Sequence, residues 1–144
     1  MKFRLLGEST KVEIDIISRE YPNSTDYWDG NWVNSKVKVE IPGYYVDFNA
    51  SLRTDDIRDF VNELKLMKKN LSGKAILKNL DGFIHFEGEM NKLGHISWSG
   101  ETCYPVGSGA VLTFEFVSDQ SYLESFIKEL EDISYMFPVI GKQN

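Results

Sequence analysis

The sequence predicts an α+β fold: a single, mostly antiparallel β-sheet with two helices packed on one face, in the order strands, helix, strands, helix. Three observations lead there. Two blocks of the chain alternate apolar and polar residues with a period of two, the mark of strands with one dry and one wet face. Two other stretches carry apolar residues at spacings of three, four and seven, the stripe of an amphipathic helix. The gaps between consecutive strands are too short for helical crossovers, apart from the one helix between the blocks, so neighbouring strands pair antiparallel.

In Lys11 to Ile17, Val12, Ile14 and Ile16 face one way and Lys11, Glu13 and Asp15 the other. From Trp32 the pattern resumes with Val33, Ser35, Val37, Val39 and Ile41 inward and Lys36, Lys38 and Glu40 outward. Pro42-Gly43 marks a tight turn, after which Tyr44, Val46, Phe48, Ala50 and Leu52 alternate with Tyr45, Asp47, Asn49 and Ser51, completing a hairpin. A helix follows. Thr54 is placed to cap it, Asp55 and Asp56 suit its positive end, and Lys68 and Lys69 its negative end. Ile57, Phe60, Val61, Leu64 and Leu71 form its stripe, and Ser72-Gly73 ends it. The second strand block runs through Ala75–Leu77, Phe83–Glu89, His95–Ser99 and Ala110–Val117, with turns at Asp81-Gly82, Asn91–Gly94 and Gly107–Gly109. The last helix opens on Ser121-x-x-Glu124, which reads as a capping box, and its apolar face is Tyr122, Phe126, Leu130, Ile133 and Phe137; Pro138 and Gly141 stop it. The halves share an element order without any residue-level repeat.

Composition narrows the class of protein. At 144 residues, 42% apolar and 26% charged, the chain is the size and make-up of one globular domain spanning 1–144. The single cysteine, Cys103, excludes an internal disulfide framework and fits a reducing compartment. No stretch approaches the roughly 20 apolar residues of a membrane span, and the apolar run near the start is too short for a secretory signal, so the expected location is cytoplasmic. A formal charge of −6 repels phosphate backbones and disfavours direct contact with nucleic acid, while it would attract a basic partner. The oligomeric state stays open.

No catalytic or cofactor motif is present: no glycine-rich phosphate loop, no paired-cysteine zinc spacing, no Gly-x-Ser-x-Gly elbow. His85, Glu87, His95 and Glu101 are types that bind zinc, but nothing fixes a third ligand at dependable spacing, and a solvated strand face accounts for them. Cys103 has no base beside it in sequence to activate a thiolate. Asp55/Asp56 and Glu131/Asp132 are explained by helix ends and wet faces rather than acid/base work. The expectation is a non-enzyme without metal or cofactor.

One segment stands apart. Tyr21 to Trp32, YPNSTDYWDGNW, has loop composition yet holds Tyr21, Tyr27, Trp28 and Trp32, with Asp26 and Asp29 flanking the central pair. Such aromatics serve either as interface anchors or as plugs of a sheet edge, and both readings stay open. The longer stretch YPNSTDYWDGNWVNSKVKVE, together with GHISWSG, GSGAVLTFEF and SDQSYLESFIKELEDI between Gly94 and Ile133, resembles the WapI family of bacterial immunity proteins. That resemblance covers most of the chain and implies a small cytoplasmic antitoxin that binds the C-terminal toxin domain of a polymorphic or contact-delivered toxin, often an RNase. It carries no family-wide interface residues. Physical chemistry supplies the candidates: the wet-face carboxylates Glu40, Asp47, Glu87 and Glu115, and the loop residues Asp26, Tyr27, Trp28 and Asp29, would meet a basic nuclease domain. The alternative is a small-ligand-binding or scaffolding module without catalysis.

Overall fold

The computed structural model describes residues 1–143. The elements run β1 (Lys2–Leu6), β2 (Lys11–Arg19), α1 (Tyr27–Gly30), β3 (Trp32–Ile41), β4 (Tyr44–Arg53), α2 (Thr54–Asn70), β5 (Gly73–Leu77), β6 (Ile84–Met90), β7 (His95–Tyr104), β8 (Ala110–Asp119), a 3-10 turn at Gln120–Tyr122, and α3 (Leu123–Met136). The strands form two four-stranded antiparallel sheets, ordered β1-β2-β3-β4 and β5-β6-β7-β8, each a simple meander.

Two sheets and three helices replace the single sheet with two helices expected above. Period-two alternation reports which side of a strand is dry; it does not report which strand lies alongside. β5 pairs with β6 alone, and α2 runs along its other edge, where Glu63 Oε1 accepts the Ile76 amide at 3.2 Å. Pairing therefore stops at the interblock helix and a second sheet begins. β1 was not foreseen, because five residues of KFRLL show too little alternation, and α1 is a single turn inside the segment read as a loop.

The inner faces are those the alternation predicts. Val12, Ile14 and Ile16 of β2, Val33, Val37 and Val39 of β3, and Phe48, Ala50 and Leu52 of β4 are all buried. They join Phe86, Ile96, Trp98 and Phe114 of the second sheet, and the apolar faces of α2 and α3, in one core cluster. At the middle of the second sheet two glycines make room for rings: a Cβ on Gly88 would meet the Trp98 ring at 2.6 Å, and one on Gly100 the Phe114 ring at 2.4 Å. Each ring lies over its cross-strand glycine, which fills the gap that a missing side chain leaves in a core-facing row.

The helix ends differ from expectation. Thr54 is the first residue of α2 and not its cap; its hydroxyl is drawn away to donate to Asn31 Oδ1 at 2.8 Å. Leu71 leaves the apolar stripe, takes a left-handed conformation with φ of 52° and lies exposed, while Met67 is buried in its place. The Ser121–Glu124 capping box does not form. Asp119 accepts the Ser121 amide at 2.9 Å and caps the 3-10 turn, which shifts the start of α3 to Leu123. Tyr122 is accordingly exposed, and Leu123 and Ile127 join Phe126, Leu130 and Ile133 on the buried face. Among the described residues no helix is long and apolar enough to cross a membrane.

Candidate partner-binding surfaces

The aromatic segment folds around one cation. The Pro42-Gly43 hairpin sets Arg53 opposite Trp32, and Arg53 is buried, with its guanidinium carbon 4.9 Å from the Trp32 ring centre, 5.1 Å from that of Trp28 and 5.3 Å from that of Tyr27. Its Nε donates to Asp55 Oδ1 at 2.9 Å, and its terminal nitrogens donate to the carbonyls of Trp28 at 2.7 Å and Tyr27 at 3.0 Å. A guanidinium tolerates burial when its donors are matched and its planar face lies against rings, and both conditions hold here. Tyr27 is buried and donates its phenol hydrogen to Asp55 Oδ2 at 2.7 Å, a bond that raises the phenol's pKa above its ordinary value.

Asn31 completes the arrangement. Fully buried, it donates to the carbonyls of Tyr27 and Ile140 at 2.8 and 3.0 Å and accepts from Thr54 Oγ1 and the Ile140 amide at 2.8 and 2.9 Å. The segment after α3 is thus tied to the aromatic turn. Of the four loop candidates, Tyr27 is enclosed and Asp26 accepts the amides of Trp28 and Asp29 at 3.0 and 3.1 Å as the cap of α1, while Trp28 and Asp29 face outward.

The strand carboxylates divide between two surfaces. Glu40 and Asp47 stand on the wet face of the first sheet, where Asp47 lies 3.5 Å from Lys36. Glu87 and Glu115 stand on the wet face of the second, either side of Ser99 in one cross-strand row, with Glu87 held 3.6 Å from Lys74. The adjacent row is His85, Glu101 and Thr113. His85, Ser99, Glu101, Thr113 and Glu115 of these rows line a shallow groove of about 550 Å³. The sequence list therefore resolves into three patches, and Glu101 belongs with Glu87 and Glu115.

A feature with no sequence forecast lies between β4 and the β7–β8 hairpin. An apolar cleft of about 430 Å³ opens between Tyr44, Val46 and Phe48 of β4 and Thr102, Tyr104 and Leu112 of β7 and β8. Phe48 stacks on Tyr104 with ring centres 5.1 Å apart, and Phe83 stacks behind them. The alternation had turned Tyr44 inward, yet Tyr44 and Tyr45 are both largely exposed beside this cleft, and the breakdown of alternation there was the available signal.

His85 pairs with Glu101, whereas His95 sits six residues along β7 opposite Asp119, so the two imidazoles stand about 20 Å apart along the strand. Among the described residues no three His, Cys, Asp or Glu side chains converge on a possible metal position. Cys103 directs its thiol to the Pro105 carbonyl at 3.6 Å. One carboxyl is strongly perturbed: burial, reinforced by the neighbouring Asp55 charge, pushes Asp56 up to about 6.

Two meanders of four strands, each followed by a helix, define a two-sheet, mostly β fold. The same fold occurs in the plant transcriptional regulator PBF-2, with a TM-score of 0.50 and 10% identity over 97% of this chain and 81% of that one. Identity that low speaks to the fold alone. Residues 4–138 match the Immunity protein WapI-like family, and the chain belongs to that family. Immunity proteins act by binding a toxin partner, and as a class they are not catalysts. No curated protein sequence matches the chain.

Proposed function

We propose that this protein is a cytoplasmic immunity protein, one domain over its 144 residues, that binds and neutralises a cognate toxin domain in the cell that makes both. The observation that carries this reading is family membership across residues 4–138. Its charge of −6 supports a basic target, and a nuclease domain is basic because it must hold a polyanion. An acidic inhibitor gains association rate by steering and covers the phosphate-binding cleft without chemistry of its own. The contact we propose draws on Trp28 and Asp29 of the loop, with Asp26 and Tyr27 supporting them, and on Glu40, Asp47, Glu87 and Glu115 of the wet sheet faces.

Co-expression with the toxin domain encoded beside this gene is the test. Restored growth together with a purified complex is the expected result; continued killing in the presence of folded protein would sink the reading. The apolar cleft supports a second reading, a small-ligand module. That reading requires a ligand whose binding raises the melting temperature of wild type and not of a Phe48→Asp variant.

A further inference from the structure

The four sheet edges are treated unequally. β1 is covered by α3, and Glu129 Oε1 accepts the outward Arg4 amide at 3.1 Å. β5 is covered by α2, and Glu63 accepts the outward Ile76 amide. On β4, the Ser51 carbonyl accepts from Asn79 Nδ2 at 2.9 Å. β8 has no such hydrogen bond, and its far end alone is approached, where a Cβ on Gly7 of the β1–β2 turn would lie 3.2 Å from the Val117 carbonyl oxygen. It is ten residues long and pairs with β7 alone, and among the described residues no hydrogen bond outside that ladder reaches the main chain of residues 110–117. Every second residue of such a strand turns its N–H and C=O away from the neighbour, ready for another chain.

We propose that the toxin docks here by strand addition: an extended segment bearing lysine or arginine joins β8 as a fifth strand of the second sheet. The proposal rests on the immunity reading and names its surface. Two further features specify the occupant. The strand AVLTFEFVSD has no basic residue, and its wet side carries Glu115 beside Ser99 and Glu87, with Glu101 in the next row. Opposite charges across neighbouring strands stabilise a pair, and like charges directly opposite destabilise it. A second copy pairing antiparallel about Glu115 would set that carboxylate against itself, whereas a lysine or arginine of a basic segment would pair with it. On the dry side, the cleft of Tyr44, Val46, Phe48, Tyr104 and Leu112 lies open beside the start of β8. An apolar side chain of the added strand has a pocket there, which gives specificity to contacts made otherwise by main chain.

The probe is an N-acetylated heptapeptide alternating valine and lysine, with a glutamate-for-lysine peptide as control. Hydrogen exchange read by NMR should slow at alternate amides of Ala110–Glu115, short of the Gly7 contact at Val117, with the lysine peptide and not with the control. Glu115→Lys, checked for an unchanged melting temperature, should weaken the response about fivefold, and Glu8→Lys in the exposed turn between β1 and β2 should leave it intact. Protection at β4, no protection at β8, or equal response to both peptides overturns the proposal, as does a free protein that is already dimeric with β8 protected. The two readings fail separately. Growth rescue that survives Thr113→Lys/Glu115→Lys removes the edge and keeps the immunity function; β8 protection without any rescue does the reverse.

Discussion

Arg53 was passed over in the sequence, yet it organises more of the surface than any acidic candidate. The signal was present: a two-residue turn at Pro42-Gly43 pairs Ile41 with Tyr44 and, counting outward, Trp32 with Arg53. A cation opposite a tryptophan, next to a loop rich in aromatics, has an obvious place to go. Its removal takes the guanidinium donor from the Trp28 carbonyl and one of two donors each from Asp55, which keeps the Tyr27 hydroxyl, and from the Tyr27 carbonyl, which keeps Asn31 Nδ2. Arg53→Ala should therefore lower unfolding free energy by about 3 kcal/mol or more, read from urea midpoints. Arg53→Lys should recover a small part of that loss, because an ammonium neither forks nor stacks. Asp56 acts in the opposite sense. Its folded pKa of about 6 lies above the ordinary 3.8, so the folded state binds its proton more tightly. The stability this group contributes is fully present below about pH 4 and is lost as pH rises through 6. Asp56→Asn should match wild type most closely near pH 4 and gain on it towards pH 7, levelling above; a constant difference across denaturation curves from pH 4 to 8 would contradict the assignment.

At the level of elements, short edge strands are protected by the helix of the other half. β1 and β5 have five residues each, and each presents an amide to a helical glutamate, Glu129 of α3 and Glu63 of α2. The repetition follows from the shared order of the two halves, which was legible in the sequence, while the glutamate roles were not. Neither residue differs in type or spacing from any solvated helix glutamate, and only the docking of α2 and α3 reveals an acceptor placed over an edge. Glu129→Ala should cost about 1 kcal/mol and speed hydrogen exchange at Arg4 while leaving Ile76 unchanged; Glu63→Ala should show the mirror pattern. Glu129 also meets the Arg4 side chain at 3.1 Å, so Arg4→Ala with Glu129 intact separates the ion pair from the amide bond.

For the whole molecule, the division into two sheets gives the charge a direction. With all strands in one sheet the candidate carboxylates would share one wet face; in two sheets Glu40 and Asp47 part from Glu87 and Glu115. A partner standing on one face need not touch the other. Association with a basic domain should slow by about tenfold or more between low and high salt, as followed by stopped-flow fluorescence of the exposed Trp28. Reversals on the contacted sheet alone should flatten that dependence.

What the sequence determined by itself is local. Alternation assigned the dry sides of β2 and β3 and, Tyr44 apart, of β4, turn residues marked the β3–β4 hairpin, apolar spacing found both long helices, and the Tyr21–Trp32 signature pointed to the family that residues 4–138 confirm. These properties depend on residues within a few positions of one another, where backbone geometry leaves little choice. Only the tertiary structure decided that pairing breaks at β5, that Trp28, Tyr27 and Trp32 close over Arg53, and that among the described residues the main chain of 110–117 in β8 takes no hydrogen bond beyond its ladder. Each of these depends on contacts between residues far apart in the chain, and a strand's own pattern carries no record of which neighbour, if any, lies along its edge.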